Sequence, residues 1–162
     1  MNAVPIIMAF DLGTHCGWAR SGPTATWGTW NLSQGRFAGG GMRYLRFEQL
    51  LQPILYGAEG FAPTMVAFEE VRRHMGVDAA HVYGGLLAHL TKMCEAVKPK
   101  IPYQGYPVGT IKKIATGKGN ADKAKMLAAA QARWGPNVED DNQADALWTL
   151  ALAESEYGRR TL

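Results

Sequence analysis

The chain has 162 residues, 47% of them hydrophobic and 19% charged, with 19 glycines, 2 cysteines and a formal net charge of +3. That is enough apolar material for a sizeable core in a single domain over residues 1–162, and too little excess charge to identify a nucleic-acid partner by itself. Cys16 and Cys94 show no pairing pattern, the start lacks a signal peptide, and no apolar run reaches membrane-spanning length; a cytoplasmic protein is expected, with no membrane partner.

Taken in chain order, "VPIIMAF" reads as a short buried strand that ends on Asp11 and turns at once through Gly13 and Gly17. "CGWARS" and "TATWGTW" follow after turn residues, which predicts an antiparallel meander of three strands. From about Gly41, Tyr44, Phe47, Leu51 and Ile54 recur at helical spacing, with Pro53 and Gly57 expected to end the helix. "PTMVAFEEV" reads as another buried strand, finishing on Glu69 and Glu70. Val82, Leu86, Leu90, Met93 and Val97 form one stripe of a long helix closed by Pro99, and a strand is expected near "KIPYQGY". Lys123, Leu127, Ala130 and Trp134 share a face of a helix begun by Asn120 and stopped by Gly135 and Pro136; a last helix carries Ala144, Leu147, Ala151 and Leu152. The expectation is an α/β fold, a sheet covered by helices, with any site beyond the strand ends.

Charge is unevenly spread along this order. Lys98, Lys100, Lys112, Lys113, Lys118, Lys123 and Lys125 are opposed only by Asp122, whereas Glu139, Asp140, Asp141, Asp145, Glu154 and Glu156 dominate the tail. Two strands end on carboxylates, and the last helix presents Asp141 and Asp145 one turn apart on one face. Such a set suits hard divalent cations, which take oxygen ligands. Each acid also has an ordinary reading, as a turn aspartate, an exposed glutamate or a helix-start acid favoured by the dipole.

Read together, "MAFDLGTHCGWA", "VAFEEV", "VGTIKKIATGKGNADKAKM" and "DDNQADALWTLALA" resemble, in order and spacing, the RuvC family of Holliday junction resolvases, in its phage-type form, within the RNase H-like (retroviral integrase) superfamily. The resemblance implies an RNase H-like fold: a mixed central sheet, the antiparallel meander plus parallel strands, flanked by helices. It also implies a Mg²⁺- or Mn²⁺-dependent endodeoxyribonuclease with two ions per active site, cutting four-way junctions by paired nicks that leave 5′ phosphates and 3′ hydroxyls. Asp11, Glu69 and Asp145 match the catalytic and metal-binding acids. The family places its third acid three residues before the last, where this chain has Asn142; Asp141, four before, lies on the same helical face and is taken as that ligand, with Asp140 as the fallback.

Lys123 matches a lysine of the family motif that would stabilise charge at the scissile phosphate, and Lys112, Lys113 and Lys118 would hold the DNA backbone. The family probes the junction with a loop after the catalytic glutamate, often through an aromatic wedge; here it reads "VRRHMGVD", in which Arg72 and Arg73 suit phosphates and Met75 is the candidate wedge. A looser preference is expected, extending to three-way and flap structures. Paired nicks imply a homodimer, and the Gly84-Gly85 pair suits close helix packing either within the chain or between copies. Phage replication, recombination or repair, in a bacterial or phage-infected cytosol, is the setting the resemblance implies. A nuclease acting on RNA–DNA hybrids and a catalytically inactive branched-DNA-binding module remain as alternatives.

Overall fold

The computed structural model describes residues 4–58, 60–74 and 76–160. Strands β1 (Ile7–Asp11), β2 (His15–Arg20) and β3 (Thr26–Asn31) form an antiparallel meander, and β4 (Met65–Glu70) and β5 (Tyr103–Pro107) extend it in parallel from β1. The sheet order is β3-β2-β1-β4-β5. Among the described residues five helices accompany it: α1 (Met42–Leu55), α2 (Val77–Ala96), α3 (Val108–Thr116), α4 (Lys123–Trp134) and α5 (Asp141–Arg160).

The apolar runs of β1 and β4 are buried on both faces, as neighbouring parallel strands covered by helices require. Two-residue alternation divides them. Ile7, Ala9, Met65 and Ala67 face one core, which Ile111, Met126, Ala130, Leu147 and Leu150 of α3, α4 and α5 complete. Met8, Phe10, Val66 and Phe68 face the other, filled by Phe47, Leu51, Leu86 and Leu90 of α1 and α2. The result is a three-layer α/β sandwich with α5 packed along the centre of the sheet.

Three local expectations need correction. Pro53 lies inside α1, two residues before its last residue Leu55, and does not itself end it; Gly57, at φ +71°, makes the stop. Asp122, not Asn120, caps α4, its side chain accepting from Lys125 N at 2.9 Å. The basic segment contains a helix that periodicity did not reveal: α3 buries just Ile111 as its central anchor and ends at Gly117, whose φ of +79° is the left-handed cap. Among the described residues no helix is long and apolar enough to cross a membrane.

Candidate active site

Strand alternation decides which acids can meet. Asp11 follows Ile7 and Ala9, and Glu69 follows Met65 and Ala67, onto the face that α5 covers; the two strands are hydrogen-bonded neighbours, with Phe10 opposite Phe68. Glu70 falls on the opposite face by the same rule, and its Oε2 stands 3.5 Å from Nη2 of Arg72.

The start of α5 closes over this pair because β2 lets it in. Gly17 lies opposite Asp11 in the β1–β2 ladder, and a Cβ there would overlap the carbonyl of Asn142. The glycine is therefore needed for backbone-to-backbone packing of α5 on β2. Gly13 stands in a roomier place, with His15 O, at 3.9 Å, the nearest atom a Cβ would meet.

The first residues of α5 take three different tasks. Asp140 caps the helix: its Oδ1 accepts from Gln143 N at 2.8 Å and its Oδ2 from Thr29 Oγ1 at 3.0 Å, while Gln143 Oε1 accepts from Glu139 N at 2.9 Å. Both oxygens of the fallback residue are thus committed to the fold. Asp141 turns toward α4, its Oδ2 2.7 Å from Lys123 Nζ. Asn142 points at the strand end; with its amide oriented so that both ends find partners, its nitrogen donates to Asp11 Oδ2 and to His15 O, each at 3.3 Å.

Electrostatics report the crowding. Burial first, then the charges of Glu69, Asp145 and Asp141, hold the Asp11 carboxyl well above the ordinary carboxylate range, against the pull of Lys123. Asp145 is pushed up to about 7 by burial and by Glu69 and Asp141, with Lys112 and Lys123 opposing. Glu69 is raised by burial against the same two lysines. The hydrogen bond and charge of Asp141 raise Lys123 in turn. Cys16, beneath the cluster, is a buried free thiol driven upward by burial and then by Asp11.

Asp11 therefore feels the charges of Glu69, Asp141 and Asp145, and Asp145 those of Glu69 and Asp141, with Lys112 and Lys123 the cations that oppose them. Arg72, Arg73, Lys113 and Lys118 are exposed on the loop after β4, on α3 and on the turn after it. Met75 lies outside the described residues. Gly85 packs within the chain, since a Cβ there would overlap the ring of Tyr44 on α1, while Gly84 faces open space.

One supporting residue escaped the sequence reading. The hydroxyl of buried Tyr83 donates to Glu69 O at 2.9 Å and accepts from Val71 N at 3.1 Å, pinning the end of β4 from α2. A tyrosine beside an otherwise aliphatic helical stripe is the signal that could have found it, because a buried phenol needs a polar partner. Among the described residues, no three His, Cys, Asp or Glu side chains are gathered into a ready-made ligand shell. The donor chemistry nonetheless fits a hard divalent cation: carboxylate oxygens on rigid elements, with Asp11 and Asp145 raised first by burial and then by the neighbouring acids.

No protein-family model and no curated protein matches the chain in sequence. In structure it is similar to Thermus thermophilus RuvC in complex with a Holliday junction substrate, at TM-score 0.71 and 19% identity over 94% of this chain and 97% of that one. A second Thermus thermophilus RuvC structure gives 0.69 and 21% over 96% of each chain. The yeast mitochondrial Holliday junction resolvase Ydc2 gives 0.60 and 14% over 96% of this chain and 82% of that one. At these identities the likeness establishes the fold, which is the RNase H-like α/β fold.

Proposed function

We propose that this chain is a RuvC-family junction-resolving endonuclease, cutting four-way and other branched DNA by paired nicks. The observation that carries the reading is the approach of Asp145 on α5 to Asp11 and Glu69 at the strand ends, all three raised first by burial and Asp11 and Asp145 also by neighbouring acids, with Lys123 and Lys112 opposing. The shared fold with junction resolvases supports it.

Asp11, Glu69, Asp141 and Asp145 would hold two Mg²⁺ or Mn²⁺ ions. Bound there, the pair would supply a water of lowered pKa for in-line attack on phosphorus and positive charge for the leaving 3′ oxygen, which would leave a 5′ phosphate and a 3′ hydroxyl. Asp11 and Glu69 sit on strands that cannot readily shift, so their oxygens are aimed in advance. Asn142 donates to Asp11 and so favours its ionised, acceptor form. Lys123 holds Asp141 and carries the positive charge that would meet the scissile phosphate; Lys112, Lys113, Lys118, Arg72 and Arg73 supply sequence-independent backbone contacts. Paired nicks require two such sites, hence a homodimer, and the chain acts as one nuclease domain.

The test is side-by-side cleavage of four-way, three-way, flap and linear DNA and of an RNA–DNA hybrid in Mg²⁺. The reading expects cutting of the branched forms with paired nicks on the four-way junction. Preferential hybrid cleavage would move the chain to a different RNase H-like activity, and metal-independent junction binding without cleavage would make it an inactive binding module.

A further inference from the structure

The connection between β3 and α1, residues 32–41, leaves the sheet at the end where the acids stand. Asn31 lies opposite His15 of β2, and Leu32 N donates to Thr14 O at 2.7 Å in the turn that follows Asp11. The base of the connection is pinned: Arg43 Nε donates to Leu32 O at 3.2 Å, Arg46 Nη1 to Ser33 O at 2.9 Å, and Ser33 N to Asn31 Oδ1 at 2.9 Å. Its neck is closed by Gln34 Nε2 donating to Gly40 O at 2.8 Å. At the tip, Ala38 N donates to Gly35 O at 3.0 Å, a β-turn whose two corner residues are Arg36 and Phe37.

Phe37 is 95% exposed, the highest value among the large hydrophobic side chains described. The Arg36 guanidinium stands 5.8 Å from the centre of its ring. A Cβ at Gly35, Gly39 or Gly41 would meet nothing within 4 Å, so the loop is slim and stands clear of the body. A loop tied at base and neck keeps this ring from folding back onto the protein. One bare ring is too small for a protein interface, which needs a contiguous apolar patch. A flat aromatic face with a cation beside it is the chemistry that stacks on a nucleobase while contacting the adjoining phosphate. Bases inside a duplex are already stacked, and a branch point is where a base face becomes available.

We propose that Phe37 stacks on an unstacked base at the branch point of the DNA, with Arg36 on the flanking phosphate. The assignment rests on the branched-DNA reading above and gives this chain a base-contacting element on a different loop from the "VRRHMGVD" segment.

The experiment uses the full chain carrying Asp145→Asn, so that strands stay intact, with a four-way junction bearing 2-aminopurine at the branch point and a duplex of the same sequence. Binding is expected to change the 2-aminopurine fluorescence. Adding Phe37→Ala is expected to abolish that change and to lower the preference for junction over duplex about tenfold, and Phe37→Trp to restore both. A Phe37→Ala chain that keeps the signal and the preference overturns the assignment while leaving the junction reading intact. No junction preference even with Phe37 present overturns both. A shift in sedimentation of the DNA-free Phe37→Ala chain would give the ring to a contact between copies and also overturn it.

Discussion

Asp141 and Asn142 are separated by one step of about 100° around the α5 axis, and that step sends one side chain to Lys123 and the other to Asp11. If Asp141 is the third ligand and Asn142 an orienting donor, the two should differ in what they cost. Asp141→Asn is expected to lower junction cleavage at saturating Mg²⁺ by more than about 100-fold, and Asn142→Ala by about tenfold. Single-turnover rates on the same junction check this, and a larger loss at Asn142 would reverse the assignment. The strand-end acids were legible in the sequence because a polar residue closing an apolar run is visible locally. The third acid was not, because offsets of three and four share a helical face. What ties Asp140 to the fold is Thr29, 111 residues away in the chain, a partner no spacing argument reveals.

At the scale of elements, the approach of α5 to β2 depends on the absence of one methyl group. Gly17→Ala sets a Cβ against the Asn142 carbonyl, and since both groups belong to regular backbone the helix must shift. A loss of about 1–3 kcal/mol in urea unfolding is expected, together with reduced cleavage as Asp141 and Asp145 move with their helix. Gly13→Ala, with open space around it, is expected to change stability by less than about 0.5 kcal/mol and serves as the control. Gly17 reads from sequence as part of the turn after Asp11; it lies instead within β2 and makes room for a helix from the far end of the chain. The meander, the parallel strands and the long helices were legible from apolar periodicity. Short α3 was not, because nine residues with one deeply buried anchor leave no repeat to detect.

For the whole molecule, the acid cluster couples folding to pH and to metal. The folded-state value of Asp145, about 7, lies above its ordinary 3.8. Its contribution to stability is fully present below about pH 4 and is lost as pH rises through 7. Without metal, Asp145→Asn should therefore gain on wild type as pH rises from 4 to 8, by roughly 1–2 kcal/mol at the top of that range, as followed by thermal melting. At pH 8, Mg²⁺ at about 100 times its Kd is expected to stabilise wild type by about 2.7 kcal/mol, and Asp145→Asn by less. A wild-type melting curve that saturating Mg²⁺ leaves unchanged would count against a metal-binding cluster.

Whether DNA cleavage depends on these carboxylates is decided on a synthetic four-way junction in Mg²⁺ with wild type, Asp11→Asn and Asp145→Asn, measuring binding and cutting together. Wild type is expected to make paired nicks, and the variants to bind the junction but cut it at less than about one thousandth of that rate. Variants that cut as fast as wild type, or a wild type inert in both Mg²⁺ and Mn²⁺, would contradict that expectation.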